Sequence, residues 1–258
     1  MKIGTCISSA LIFEPIPAAD YVELPARMLF TMERQAFDAL KAATDAGRIN
    51  TYAANCLTPN DMRLTGPEVS MDTLKNYADM VFDRLAQLQV KTVIFGAGKS
   101  KSVPEGFSRE KAWEQLFQIG TLFADHAQQY GQTIAVEPLS YTETNIINTI
   151  EDAAFYTSTL NRDNFKFMVD FYHFDNNGQT AASLLNHSQD LVHAHIAAPK
   201  TRTTPQTDED WTFVRNCLAL LKTINYNGGL SFEGKHNGPA DLNATLSKLK
   251  KEAGLQDA

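Results

Sequence analysis

Eight short runs rich in β-branched and apolar residues recur along the chain, and longer segments with helical periodicity separate most of them. A strand reaches a parallel neighbour only through a crossover connection of about a dozen residues or more, usually a helix. The alternation therefore predicts an α/β fold with a parallel sheet covered by helices. The candidate strands are KIGTCIS (2–8), DYVEL (20–24), INTYAA (49–54), KTVIFG (91–96), TIAVEP (133–138), FKFMVD (165–170), LVHAHI (191–196) and GLSFEG (229–234).

The number of these units and the chain length favour one parallel-sheet architecture. Eight strand and helix units in 258 residues match a (β/α)8 barrel, which typically takes about 250 residues. A doubly wound open sheet is the alternative. We predict one domain, 1–258, whose first connection is short and irregular because residues 9–19 include Pro15 and Pro17 and leave little room for a helical crossover.

Local signals place the ends of two helices. Ser108 precedes REKAWEQLF and is a preferred residue type for a helix N-cap, while Gly131 follows the expected end of that helix. The segment TIED (149–152) has the spacing of a capping box. We therefore expect helices to begin after Ser108 and Thr149.

Charge and cysteine content disfavour several classes of protein. The formal net charge of -7 disfavours nucleic acid as a partner, because binding to backbone phosphates rewards clustered Lys and Arg. The cysteines Cys6, Cys56 and Cys217 form no CxxC, which indicates neither a disulfide framework nor a cysteine zinc site. The N-terminal segment is too weakly apolar for a signal peptide, and no segment reaches membrane-spanning length. We expect a cytoplasmic protein with a small-molecule partner and no membrane partner.

The last four predicted strands carry metal-binding residue types at or near their ends. Glu137, Asp170 and Glu233 lie at the ends of the fifth, sixth and eighth strands, and the seventh carries His193 and His195, either of which can be the inward one. One such carboxylate alone is more often a helix cap or a surface charge. In a barrel, however, these strand ends meet in one small volume, where the carboxylates would repel one another without a cation. The set predicts a site for Mn²⁺, Mg²⁺ or Co²⁺.

Four segments between Val90 and Gly234 carry a family resemblance. They are AVEPLSYTETNIINT, FMVDFYHF, LVHAHIAAPKTR and NYNGGLSFEG. They resemble the xylose isomerase-like TIM barrels, in particular the sugar phosphate isomerase/epimerase group that contains ketose 3-epimerases and hydroxypyruvate isomerases. The resemblance implies one divalent metal ion, with Zn²⁺ as a further candidate, and a homo-oligomer. The metal ligands that it implies are Glu137, Asp170, His195 and Glu233.

The resemblance also implies roles in catalysis. Glu137 and Glu233 would exchange the substrate proton, whereas Glu143, His173 and Arg202 would bind the substrate. The implied reaction is a metal-dependent isomerisation or epimerisation of a ketose or ketose phosphate, in which proton abstraction next to the carbonyl gives a cis-enediolate. Return of the proton to the opposite face inverts the carbon, and return to the adjacent carbon interconverts ketose and aldose.

Two other enzyme classes share this barrel or its chemistry. A dehydratase of a cyclic polyol or shikimate-like acid would use the same metal and the same proton abstraction, and would differ in expelling a β-hydroxyl group. An apurinic endonuclease needs further His ligands for zinc from early strand ends, and the second to fourth strands supply none.

Two loops hold basic residues that are candidates for a substrate phosphate. The first, FGAGKSKS (95–102), is not a P-loop because Val93 stands where that motif requires Gly. It follows the fourth strand and leaves Lys99 or Lys101 as phosphate contacts if it lines the mouth, although a solvated turn is the commoner outcome. The second loop follows the eighth strand and contains Lys235 and His236. The phosphorylation state of the substrate and the carbon acted on stay open.

Overall fold

In the computed structural model, residues 1–255 are described and form a closed barrel of eight parallel strands. Each strand pairs with the next, and β8 pairs with β1 to close the sheet. The (β/α)8 barrel is confirmed and the doubly wound alternative is wrong, while the predicted domain boundary at residue 258 lies outside the described residues. The strands are β1 (Lys2–Cys6), β2 (Tyr21–Pro25), β3 (Ala53–Asn55), β4 (Thr92–Phe95), β5 (Thr133–Val136), β6 (Phe165–Asp170), β7 (Leu191–Ile196) and β8 (Gly229–Phe232).

Helices follow the strands and cover the outside of the barrel. The first connection holds only a 3-10 turn, Ser9–Leu11, between β1 and β2, as the two prolines predict. Among residues 1–255, no helix combines the length and apolar character needed to cross a membrane. The α-helices are α1 (Met28–Thr31), α2 (Arg34–Asp45), α3 (Met71–Gln87), α4 (Gly98–Lys101), α5 (Arg109–Gln129), α6 (Ile150–Leu160), α7 (Phe171–Asn176), α8 (Ala181–His187), α9 (Asp208–Thr223) and α10 (Pro239–Glu252).

The predicted helix ends are confirmed. The Ser108 side chain accepts a hydrogen bond from the backbone N–H of Lys111 at the start of α5. Thr149 and Asp152 form the capping box of α6. Gly131 lies just past α5 with a φ of 64°, a left-handed conformation that glycine adopts without strain.

The third strand differs from its prediction. Only Ala53–Asn55 form β3, whereas the sequence pattern predicted residues 49–54. At the entry to this strand, the Asn50 side chain donates a hydrogen bond to the carbonyl of Asp20 at 2.7 Å. The Asn50 side chain therefore bonds to a carbonyl that a longer β3, as the sequence pattern predicted, would engage through its backbone.

Alternation along the strands leads from a packed interior to the mouth of the barrel. Ala135 and Met168 belong to a small buried cluster, and Glu137 and Asp170 follow them by two residues and so point to the same inner side. Glu137 and Glu233 lie one residue beyond β5 and β8. Their backbone N–H groups still bond to the neighbouring strands, at 3.2 Å to Phe95 O and 3.0 Å to Ile196 O, which keeps the inward alternation.

Candidate active site

The C-terminal ends of β5 to β8 bring Glu137, Asp170, His195 and Glu233 together. One donor atom from each side chain lies within 4.8 Å of the others. The first three residues are buried and Glu233 is half-buried. His195 Nδ1 lies 3.0 Å from Glu233 Oε2 and 3.7 Å from Glu137 Oε1. All four residues that the strand pattern singled out therefore share one small volume.

The other three predicted site residues border this cluster. Arg202 Nη2 lies 3.0 Å from Asp170 Oδ2 and 2.6 Å from Glu233 Oε2, and Arg202 Nη1 lies 3.4 Å from Glu143 Oε1. His173 Nε2 lies 3.5 Å from Asp170 Oδ2 and 3.8 Å from Glu143 Oε1. The structure thus places Glu143, His173 and Arg202 where they can contact a molecule held at the cluster.

The site is rich in carboxylates, and the groups around them shift the pKa values of Asp170 and Glu233. Burial raises the pKa of Asp170. Burial alone would raise the pKa of Glu233 too, but its interactions with His195 and with the Arg202 guanidinium outweigh burial and hold that pKa well below its usual range. The Arg202 guanidinium forms ion pairs with both carboxylates and offsets part of their repulsion.

The donor set fits a divalent cation. Three carboxylates and one imidazole are ligands typical of Mn²⁺, Mg²⁺ and related ions. Glu137 Oε1 is buried and has no hydrogen-bond partner among residues 1–255, although buried polar atoms are nearly always paired. A cation at the centre of the cluster would supply the partner for that oxygen.

A cleft of about 370 Å³ opens at the mouth of the barrel and is lined by Glu137 and Glu233 of the cluster and by Glu143, His173 and Arg202. Its volume is in the range of small-molecule sites, which is roughly 300–1,000 Å³. Arg27, Asn55 and Lys99 also line it. A larger groove of about 500 Å³ next to Phe30 and Met62 contains none of the clustered residues. Polar, convergent side chains make the 370 Å³ cleft the candidate active site.

The sequence matches the family model for the xylose isomerase-like TIM barrel over residues 18–252. The chain belongs to the xylose isomerase-like TIM barrel family. The resemblance carried by the four motifs is thereby confirmed.

Relatives of this family member include epimerases, which are isomerases. A ketose 3-epimerase from Arthrobacter globiformis is 27% identical over 222 residues, which cover 83% of this chain and 72% of that protein. The structure of an E. coli 3-keto-D-glucoside 4-epimerase matches with a TM-score of 0.80 at 21% identity, covering 97% of this chain and 99% of that one. The sequence-based prediction of the isomerase class agrees with these relatives.

Two further structures share the barrel of this family member. A D-psicose 3-epimerase crystallised in the presence of D-fructose matches with a TM-score of 0.83 at 15% identity, covering 98% of this chain and 100% of that one. The IOLI protein with a bound zinc atom matches with a TM-score of 0.64 at 20% identity, covering 98% and 95% of the two chains. At these identities the likeness shows a common fold.

The sequence patterns did not predict two polar residues that lie at the site. Glu23 on β2 is fully buried and contacts both His193 and His195, so both imidazoles of β7 point inward. Asn55 ends β3 and its Nδ2 donates to Glu233 Oε1 at 3.4 Å. Both residues lie on early strands, where the sequence offered no cluster of like residues to mark them.

The basic loop residues have different positions. Lys99 lines the cleft, whereas Lys101 is 1% exposed and donates a hydrogen bond to the carbonyl of Glu137 at 3.0 Å. Lys101 was therefore wrong as a candidate for contact with a substrate phosphate. Lys235 lines an adjoining chamber together with Arg27.

Gly96 keeps the space that Glu137 occupies. A methyl group at Gly96 would collide with Glu137 Oε2. Since that oxygen is the end of a flexible side chain, the Gly96→Ala variant is expected to fold with a melting temperature close to wild type but with a displaced carboxylate. A displacement of about 1 Å typically costs about 10²-fold in rate where the displaced group takes part in the reaction, the role that the resemblance implies for Glu137. We expect kcat of Gly96→Ala to fall by about that factor, and we would measure kcat and thermal unfolding of the same variant. A large fall in melting temperature together with the loss of activity would contradict a purely local collision.

Lys101 makes stability depend on pH. Burial lowers the pKa of Lys101 to about 7, below the value of about 10.4 for an unfolded chain. Between these values the unfolded chain binds a proton that the folded chain does not, so the free energy of unfolding rises with pH. In chelator, from pH 7 to pH 8.5, we expect the slope to be steeper in wild type than in Lys101→Met by about 1 kcal/mol per pH unit. Parallel urea-denaturation profiles would contradict this.

Proposed function

We propose that the chain is a divalent-metal-dependent epimerase or isomerase that acts on a ketose or ketose phosphate. One observation carries the proposal: Glu137 and Glu233 each bring a carboxylate oxygen to the same cluster, within 4.8 Å, together with Asp170 and His195. Two bases at one centre are what proton removal and proton return require. The name of the 27% identical relative, a ketose 3-epimerase, supports this choice of substrate class.

The reaction divides between the metal and the two Glu residues. When bound, a divalent ion would polarise the carbonyl and make the neighbouring C–H acidic. One of Glu137 and Glu233 accepts that proton on a carboxylate oxygen, which leaves a planar cis-enediolate. The other Glu delivers a proton to the opposite face and inverts the carbon; delivery to the adjacent carbon would convert ketose into aldose. Asp170 and His195 complete the ligand set.

Buried polar atoms around the cleft are suited to sugar hydroxyl groups. His173 Nε2 and Asn55 Oδ1 are buried and have no hydrogen-bond partner among residues 1–255. A hydroxyl group is both donor and acceptor and can pair with either atom. Arg202 contributes N–H donors, and Glu143 contributes a half-exposed carboxylate at the rim. The substrate that we propose would therefore satisfy groups that the protein leaves unpaired.

Product analysis tests the proposal. The Mn²⁺-loaded protein is incubated with a panel of free and phosphorylated ketoses and with cyclic polyols and shikimate-like acids, and products are identified by NMR. A new epimer or aldose at constant mass supports the proposal. Loss of water from a cyclic substrate, with no isomerised sugar, would replace it with the dehydratase. Cleavage of an abasic DNA strand is not expected, because β2 to β4 contain no His.

A further inference from the structure

A carboxylate inside the barrel connects the metal-site histidine to a buried polar network. Glu23 is fully buried on β2, and its Oε1 lies 2.9 Å from His195 Nε2. Its Oε2 lies 2.8 Å from His193 Nε2 and accepts a hydrogen bond from Ser231 Oγ at 2.7 Å. Ser231 Oγ in turn lies 2.9 Å from Tyr21 OH. None of Glu23, His193, Ser231 and Tyr21 is among the residues that line the cleft.

The partners in this network assign each hydrogen. His193 Nδ1 is buried and has no partner among residues 1–255, so the ring carries its hydrogen on Nε2 and donates it to Glu23. The Ser231 hydroxyl also donates to Glu23, which leaves Tyr21 OH to donate to Ser231. In its ionised form Glu23 only accepts hydrogen bonds, and its other oxygen, Oε1, lies 2.9 Å from His195 Nε2. His195 Nε2 must therefore donate to the other oxygen of Glu23.

The consequence for His195 is a fixed ring orientation. With Nε2–H committed to Glu23, the nitrogen that faces Glu233 and Glu137 is Nδ1, at 3.0 Å and 3.7 Å. We propose that Glu23 is a positioning residue that holds His195 so that its Nδ1 lone pair is presented to the divalent cation. The part of this inference that involves a cation rests on the proposed function. The orientation of the His195 ring rests only on hydrogen bonds within the chain. Glu23 itself is fully buried and is not among the residues that line the cleft.

The Glu23→Gln variant tests this by reversing one hydrogen bond. An amide has one oxygen, and two donors, His193 Nε2–H and Ser231 Oγ–H, compete for it. We expect the amide NH₂ group to face His195 Nε2, which moves the His195 hydrogen to Nδ1 and removes the lone pair from the ligand position. Removing the partner of a metal-binding His typically weakens metal affinity by about 10- to 100-fold.

The measurement is Mn²⁺ affinity by EPR titration, with Ser231→Ala as the matched control. That control removes a neutral donor to the same carboxylate and leaves the Glu23 to His195 bond intact. We expect a dissociation constant about 10- to 100-fold higher for Glu23→Gln and within about threefold of wild type for Ser231→Ala. Unchanged Mn²⁺ affinity in Glu23→Gln, or equal losses in both variants, would overturn the proposal in favour of a purely structural carboxylate.

A second measurement needs no variant and no substrate. In ¹⁵N-histidine NMR of chelator-treated wild-type protein, His195, assigned through its contacts to the nearby Cys6, is expected to carry a slowly exchanging hydrogen on Nε2. Zn²⁺ should then shift Nδ1 and leave Nε2–H in place. A bare Nε2, or a metal-induced shift at Nε2, would overturn the assignment even if Glu23→Gln fails to fold. If these signals appear but no sugar reacts, the proposed function fails and the positioning role stands.

Discussion

Replacing Glu137 or Glu233 with Gln is expected to lower kcat by about 10²- to 10⁴-fold, the usual contribution of a general acid or base. The amide keeps the size and one oxygen of the carboxylate but cannot accept the substrate proton. Because the two residues act on opposite faces of one intermediate, each variant alone should block turnover. Steady-state kinetics on the sugar identified by product analysis, with metal content measured in each variant, provides the test.

The Glu143→Gln variant is the matched control for this prediction. Glu143 lies at the rim, where its side chain is 43% exposed and pairs with Arg202 at 3.4 Å. If Glu143 only binds a sugar hydroxyl group, replacing it with Gln should raise KM and leave kcat within a few-fold of wild type. If Glu137→Gln and Glu233→Gln both kept near-normal turnover with bound metal, the two-base mechanism would be wrong.

Removing the divalent ion is expected to abolish turnover and to lower the melting temperature. Without the ion, Glu137, Asp170 and Glu233 are held within 4.8 Å of one another, and Arg202 offsets their repulsion only in part. Ligand at 100 times its Kd stabilises a folded protein by about 2.7 kcal/mol. For a chain of this size that corresponds to about 5–10 °C in melting temperature.

Thermal unfolding in EDTA and in Mn²⁺, beside activity in both, checks this prediction. Asp170→Asn provides the control, because it removes one charged ligand and should shrink the stabilisation by Mn²⁺ while reducing the repulsion in EDTA. Full activity in a protein shown to be free of metal, or an equal thermal shift in Asp170→Asn, would contradict the proposed ligand set.

The site residues on the later strands could be predicted from the sequence, because side chains alternate between the two sides of a strand. Once the strands over 133–138 and 165–170 were recognised, period-two geometry placed Glu137 and Asp170 on one side of the sheet. Closure of the barrel then brought the ends of β5 to β8 together. Local sequence patterns and the number of strands were therefore enough to predict both the barrel fold and the clustering of these carboxylates.

The early strands were less readable because their residues act through distant partners. Glu23 lies in YVELP on β2, and only closure of the barrel brings it to His193 and His195 on β7, from which β1 and β8 separate it in the sheet. Lys101 lies in a basic stretch that resembles a solvated turn, yet the turn geometry of α4 buries its side chain behind Glu137. Three-dimensional contacts between segments far apart in the chain set both environments, and no local pattern encodes them.

Metal-dependent exchange of solvent hydrogen into a sugar tests the central claim most directly. The protein is incubated in D₂O with D-fructose, D-psicose and their phosphates, in Mn²⁺ and in EDTA, and followed by proton NMR. The account predicts deuterium at the carbon next to the carbonyl in Mn²⁺ and none in EDTA, with no interconversion of the two epimers in either Glu137→Gln or Glu233→Gln. Exchange that persists in EDTA, or its absence from every ketose in a protein that binds Mn²⁺, would contradict it.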